Sequence, residues 1–327
     1  MSMRGALRLA AAMSYAATDC PSLTGRTLVV TGGNGGIGLE AVRVFAEKGA
    51  RVVIAARNMG KAEVARTSVL ASFPAAAVEV RPLDVSSQAS VREFAERWGA
   101  EPIHVLVNNA GVMAVPRALS VDGWETQFAT NHLGHYALTM RLLPALRAAG
   151  SARVVTIASG MHWVGRLAMR NLDGERGYDP WVAYAQSKLC NLLFTRELDR
   201  RLMAAGLPIA SLAAHPGYAS TDLQYVGPRT SGSSTDMAVM KFINLTIAQS
   251  AAAGALPTIR AATDPEAKGG EYWGPRFMGW RGAPERALSS GASRNIEKAA
   301  ALWAESAKRT GLDFPGSSVV DGGGRVE

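Results

Sequence analysis

Thr27-Leu28-Val29-Val30-Thr31-Gly32-Gly33-Asn34-Gly35-Gly36-Ile37-Gly38 begins as an apolar, β-branched run, breaks into glycines, and resumes with helical spacing. The first five residues read as a short buried strand. Ile37, Val42, Val44 and Phe45 then mark a helix over 36–48. Gly32, Gly36 and Gly38 fall where the chain must turn tightly, admit a pyrophosphate against its backbone, and start a helix close to the sheet. Glycine meets all three demands without a Cβ clash. A helix N-terminus presents unpaired N–H groups and a partial positive charge to phosphates. The turn, with Asn34 and Ile37 in it, is therefore expected to hold a dinucleotide.

Working outward, strand-like runs recur at 51–56, 77–81, 103–107, 153–158, 209–214 and, briefly, 270–272. Helical spacing fills the gaps at 61–72, 87–99, 123–149 and 181–205, with Ser86 as a cap for the second of these and a bend expected near Pro144. Strands separated by single helices predict right-handed βαβ crossovers. The expected fold is α/β: a single-domain Rossmann-type, doubly wound parallel β-sheet of about seven strands with helices on both faces. No internal repeat or composition break marks a second domain. Residues 1–22 read as a flexible leader, 23–314 as the domain, with a substrate lid within about 223–260, and the Gly/Ser-rich 315–327 as a disordered tail.

Composition narrows the function. The chain has 327 residues, 48% hydrophobic and 19% charged, as in ordinary globular proteins. The net charge of +8 is carried mostly by scattered arginines, without the basic-aromatic runs of a nucleic-acid surface, so no nucleic-acid partner is expected. Cys20 and Cys190 form no disulfide framework, which suits a reducing, cytoplasmic location. His132 and His135 sit three apart but lack a third ligand at suitable spacing, so no metal is expected. The apolar run Leu9 to Met13 is too short to span a bilayer, and no other stretch comes nearer.

The second strand ends Ala55-Ala56-Arg57. A carboxylate there would bind the ribose hydroxyls of NAD(H) and repel a 2′-phosphate. Arg57 instead offers a guanidinium to that phosphate, so NADP(H) is expected over NAD(H). Asp84 and Val85, after the third strand, suit an edge contact to the adenine. Asn108-Asn109-Ala110-Gly111, after the fourth, lets backbone pass the adenosine ribose. Tyr184 and Lys188 are four apart on a helix and project from one face. An ordinary tyrosine pKa of about 10 is too high for a base near neutrality, and a neighbouring ammonium should lower it. Tyr184 can then act as acid or base on an alcohol or carbonyl oxygen. Lys188 should also hold the nicotinamide ribose. Ser159, at the end of the fifth strand, can donate a hydrogen bond to the substrate oxygen. Asn131, in mid-helix, could hold a water that links Lys188 to solvent.

These segments together resemble the short-chain dehydrogenase/reductase family from about Leu23 to Leu312. The likeness rests on Thr31-Gly32 with Gly36-Ile37-Gly38, Asn108 to Gly111, Asn131, Ser159, Tyr184 with Lys188, and Pro216-Gly217. It implies a catalytic tetrad of Asn131, Ser159, Tyr184 and Lys188. It also implies nicotinamide contacts from Pro216, Gly217 and Thr221, and homodimers or homotetramers formed through the two long helices. Asn131-His132-Leu133-Gly134-His135, Ser187-Lys188-Leu189-Cys190-Asn191, His215-Pro216-Gly217 and the long gap from Ser159 to Tyr184 resemble the retinol-dehydrogenase-like branch. Two features depart from the pattern: no membrane anchor precedes the glycine turn, and Ala158 stands where a serine often precedes the catalytic one.

The expected substrate is a small to bulky hydrophobic aldehyde, ketone or alcohol. Its walls are expected from the insertion at 161–181 and from 223–247, with Met237, Met240, Phe242 and Ile243, and Met278 and Trp280 closing the C-terminal side. Two alternatives stand beside this reading. One is a nucleotide-binding regulatory or scaffold protein; the other is a C=C reductase resembling protochlorophyllide reductase.

Overall fold

The computed structural model describes residues 15–217 and 249–315. One eight-stranded sheet carries the chain, in the order β3-β2-β1-β4-β5-β6-β7-β8. Its strands are β1 (Thr27–Thr31), β2 (Arg51–Ala56), β3 (Ala77–Pro82), β4 (Val105–Asn108), β5 (Ala152–Ile157), β6 (Ile209–Ala214), β7 (Tyr272–Phe277) and β8 (Arg281–Arg286). The first seven pair in parallel and β8 returns antiparallel to β7. The seven expected strands are all present. The eighth was missed because Arg281-Gly-Ala-Pro-Glu-Arg286 is polar and half exposed, with none of the apolar run that identifies a buried strand.

The helices are α1 (Gly36–Glu47), α2 (Met59–Ser72), α3 (Gln88–Trp98), α4 (Gly134–Ala148), α5 (Pro180–Ala204), α6 (Ala251–Thr263) and α7 (Ile296–Thr310). Alternate strand residues face opposite layers. Leu28, Val30, Val52, Ile54, Val105 and Val107 pack against Val42, Phe45, Val69 and Ile259 of α1, α2 and α6. Val29, Val53, Leu106 and Val154 pack against Phe94, Leu138, Leu142, Phe194 and Leu198 of α3, α4 and α5. Each fully buried side chain of this size contributes about 1.5–3 kcal/mol. The outer helices α6 and α7 were not foreseen. Ser87, rather than Ser86, caps α3 by accepting the Ser90 N–H.

Two departures bear on the site. The expected single helix over 123–149 begins as one α-turn at Thr126–Phe128 and passes through a π-helical stretch, Ala129–Leu133, before α4. The irregularity thus surrounds Asn131, while Pro144 is accommodated inside α4. Helix α7 lies along α5 and reaches the start of α4. Trp303 sits 5.0 Å from Tyr136 and 6.0 Å from Phe194 between ring centroids, and His132 Nε2 meets Ser306 Oγ at 2.9 Å. Through Trp303 and Ser306, α7 thus touches both long segments through which oligomers are expected.

Candidate active site

The C-terminal ends of β1, β2, β4, β5 and β6 converge on one crevice, as in open parallel sheets. At its nucleotide end Gly32 has φ +63°, a left-handed conformation suited to glycine. A Cβ on Gly38 would meet Asn109 Nδ2 at 2.5 Å and Gly32 O at 2.7 Å, so the helix start, strand end and Asn109 are packed to backbone contact. Thr31 Oγ1 accepts the N–H groups of Asn109 (2.8 Å) and Ala110 (2.9 Å), and Asn109 Nδ2 donates to Thr31 O (2.7 Å). Asn109 therefore locks the glycine turn onto β4, a role its sequence position did not reveal.

The capping pattern shows what this turn is free to bind. Asn58, Ser87, Asp179, Ser250 and Asn295 each accept amide bonds at the N-termini of α2, α3, α5, α6 and α7. At α1 the N-cap is Gly35, with no side-chain cap. The first amides of α1 are left to an external acceptor, and a pyrophosphate supplies one. Gly36, at φ +52°, and Ile37 form this first turn beside Asn34. Arg57 stands at the end of β2 with its side chain 74% exposed and Nη1 3.8 Å from Asp84 Oδ2. Asp84 Oδ1 accepts from Ser86 N (2.9 Å) and Ser86 Oγ (2.6 Å). Val85 beside it is buried.

At the other end, Asn131 spends its carboxamide on architecture. Its Oδ1 accepts Val112 N–H at 2.8 Å, and Nδ2 donates to Val112 O and to Ser187 Oγ, both at 2.9 Å. Ser187 Oγ donates onward to Tyr184 O at 2.8 Å. Asn131 thus ties the segment after β4 to the helix that bears Tyr184, with both amide hydrogens committed; the water-holding role expected of it cannot fall to those groups. Its carbonyl meets His135 Nδ1 at 3.3 Å, and His135 Nε2 meets Thr31 Oγ1 at 2.9 Å. Burial lowers His135 to about 4, so the ring is neutral and serves as a bridge from glycine turn to π-turn. Gly111 lies against this pair: a Cβ there would come 2.9 Å from Asn131 Oδ1 and 3.7 Å from Lys188 Nζ.

Tyr184 and Lys188 are buried on α5, as their spacing predicts. Lys188 Nζ donates to Ile157 O at 3.0 Å and lies 5.7 Å from the Tyr184 ring centroid. The Ser159 side chain faces Tyr184 closely enough to pull its pKa down. The electrostatics of the polypeptide differ from expectation. Burial raises Tyr184 to about 12 against the downward pull of Ser159. Burial also lowers Lys188 to about 8. Desolvation sets both shifts, and the ammonium is turned toward the Ile157 carbonyl. Near pH 7 Lys188 still carries its charge.

Pro216 and Gly217 close the crevice after β6. Gly217, at φ +66°, donates its N–H to His215 Nδ1 at 3.2 Å, and Pro216 O accepts from Gln249 Nε2 at 2.5 Å. Thr221 and the proposed walls at 223–247 lie outside the described residues. The insertion at 161–181 is stitched down: Tyr178 Oη donates to Val115 O at 2.9 Å, and Ala168 N donates to Gln186 Oε1 at 2.8 Å. Trp163, Val164, Trp181 and Val182 remain exposed on it and on the start of α5, as do Met278 and Trp280 on the β7–β8 turn. Among the described residues no three His, Cys, Asp or Glu side chains gather to hold a metal, and no helix is long and apolar enough to cross a membrane. Cys20 and Cys190 are free and buried.

A glycine-turned first crossover and a Ser–Tyr–Lys group at the strand ends define a short-chain dehydrogenase/reductase, and residues 26–229 match the family model for short chain dehydrogenases. The chain belongs to that family, in its retinol-dehydrogenase-like branch. It is 44% identical to mouse retinol dehydrogenase 12 over 203 residues, 62% of this chain and 64% of that one; the matched stretch is thus under two thirds of that relative's length. It is 40% identical to mouse polyprenol dehydrogenase over 297 residues, 89% of this chain and 85% of that one. A crystal structure of an uncharacterized protein from Mycobacterium paratuberculosis superposes with TM-score 0.77 at 44% identity, covering 92% of this chain and 99% of that one. The Pseudomonas aeruginosa RhlG/NADP active-site complex superposes with TM-score 0.59 at 27% identity, covering 77% and 94%.

Proposed function

We propose that this oxidoreductase is an NADP(H)-dependent carbonyl reductase or alcohol dehydrogenase acting on hydrophobic aldehydes, ketones or alcohols, with Tyr184 as its acid/base. The observation that carries the reading is the buried Tyr184 phenol facing Ser159, with the Lys188 ammonium 5.7 Å from its ring centroid, at the end of a crevice that begins at an uncapped helix. When bound, the reduced dinucleotide supplies the hydride. Gly32, Asn34, Gly36, Ile37 and Gly38 would hold its pyrophosphate, Arg57 its 2′-phosphate, Asp84 and Val85 its adenine edge, Ala110 and Gly111 its ribose, and Pro216, Gly217 and Thr221 its nicotinamide. Ser159 would orient the substrate oxygen, and the Tyr184 hydroxyl would give that oxygen its proton. Burial keeps Tyr184 protonated at neutral pH, the state that reduction of a carbonyl requires. Oxidation of an alcohol requires the phenolate, which the Lys188 charge and a cationic oxidised ring would favour.

The exposed aromatic and aliphatic side chains beside the site support an apolar substrate, as do relatives named for retinol and polyprenol. The test is NADPH oxidation across a panel of hydrophobic aldehydes and ketones, with NADH alongside. Tight NADPH binding with no turnover on any of them would favour the scaffold reading instead.

A further inference from the structure

His162 lies three residues after Ser159, in the 3₁₀ turn Gly160–Trp163, and no local sequence signal marked it. Its imidazole is buried at 1% exposure, and both ring nitrogens are engaged. Nε2 faces the Ser290 N–H at 3.2 Å, so it must accept, and the remaining ring hydrogen sits on Nδ1. Nδ1 then donates to the Ser159 carbonyl at 2.7 Å. One neutral tautomer satisfies both partners, and burial lowers the pKa of the ring in keeping with that form.

The second partner is itself anchored. Ser293 Oγ donates to Ser290 O at 2.7 Å. Arg196 Nη1 donates to Ser293 O at 2.6 Å and to Ser293 Oγ at 2.9 Å, and Nη2 donates to Ser289 Oγ at 2.8 Å. Arg196 belongs to α5, the helix of Tyr184. The chain of bonds from Ser159 through His162, Ser290, Ser293 and Arg196 therefore returns to the element carrying the other half of the Ser159–Tyr184 pair. The Tyr272 ring walls the imidazole on one side, with centroids 5.4 Å apart at 87°.

We propose that His162 is a positioning residue: by tying the Ser159 carbonyl to a loop that Arg196 fastens to α5, it sets the place of the Ser159 hydroxyl relative to Tyr184. The inference rests on the proposed role of Ser159 in turnover. An ångström of misplacement at such a group costs up to about 100-fold in rate. A merely space-filling histidine would affect stability and leave the geometry of the pair alone.

A double-mutant cycle separates the two. His162→Phe keeps a ring against Tyr272 and removes both hydrogen bonds. It is expected to lower kcat on a reducible aldehyde by about tenfold or more while NADPH affinity changes less than about twofold. In a Ser159→Ala background the same substitution should cost less than about twofold, because the group it positions has gone. His162→Gln, with a donor nitrogen and an acceptor oxygen on its amide, should recover a large part of the loss. Equal losses in both backgrounds, or His162→Phe turning over like the parent, would overturn the proposal. Should His162→Phe fail to fold, His162→Gln decides alone in the same cycle: a loss that persists undiminished without the serine refutes positioning. Wild-type turnover by Ser159→Ala would instead overturn the functional reading on which the proposal stands.

Discussion

The two ends of the crevice use charge in opposite ways. At the nucleotide end Arg57 is largely exposed, and its 3.8 Å contact with Asp84 is loose and solvated. Such a pair is worth about 0–1 kcal/mol to the fold. At the catalytic end Tyr184 and Lys188 are buried, and desolvation drives their pKa values apart, to about 12 and about 8. A solvated guanidinium is available to an anionic ligand at little cost to the fold. A desolvated phenol and ammonium strain the fold, and the phenol holds its proton more tightly than a solvated one would.

This contrast can be broken most sharply at Tyr184. Tyr184→Phe should reduce kcat by on the order of 10³ while NADPH still binds, read by turnover and by fluorescence titration; near-normal turnover would end the acid/base assignment. Ser159→Ala should cost roughly 10² in kcat with little change in cofactor affinity.

The buried cation makes a separate prediction about stability. The folded-state pKa of Lys188 lies below its ordinary 10.5, so between about pH 8 and 10 the unfolded chain binds more protons than the folded one. The contribution of Lys188 to stability therefore rises with pH across that window. Above about pH 10 Tyr184 acts in the other direction, since its folded-state pKa is raised toward 12 and the unfolded chain loses the proton first. Lys188→Met should abolish the rise and be more stable than the parent at pH 7, by a few kcal/mol at most. Parallel urea-midpoint profiles for the two proteins across pH 7–10 would contradict a desolvated lysine. At the exposed end the effects are smaller. Arg57→Ala should weaken NADPH about tenfold and leave NADH nearly unchanged, measured as the ratio of the two KM values. Equal weakening of both would show that Arg57 does not read the 2′-phosphate.

Much of the site was legible because its signals are local. The glycine turn lies between an apolar run and a helical one, and Tyr184 with Lys188 needs only the helical repeat to share a face. Strand-end placement of Ser159 followed from the same alternation. His135 and His162 were not legible: their partners, Thr31 and Ser290, are 104 and 128 residues away in sequence. The π-turn around Asn131 has no compositional mark either, since it is held by contacts to Val112 and Ser187 on other elements. Strand β8 escaped for a related reason, being an outer element whose half-polar sequence gains its place by pairing with β7; α7 packs on α5.

The sequence alone determined the fold class, the dinucleotide turn and the identities of the chemical groups, because backbone propensity and side-chain periodicity act over a few residues. Only the tertiary structure decided which of those groups are desolvated, what orients them, and that α7 packs against α5. Burial and long-range hydrogen bonds depend on which distant segments meet, and no window of sequence contains that information.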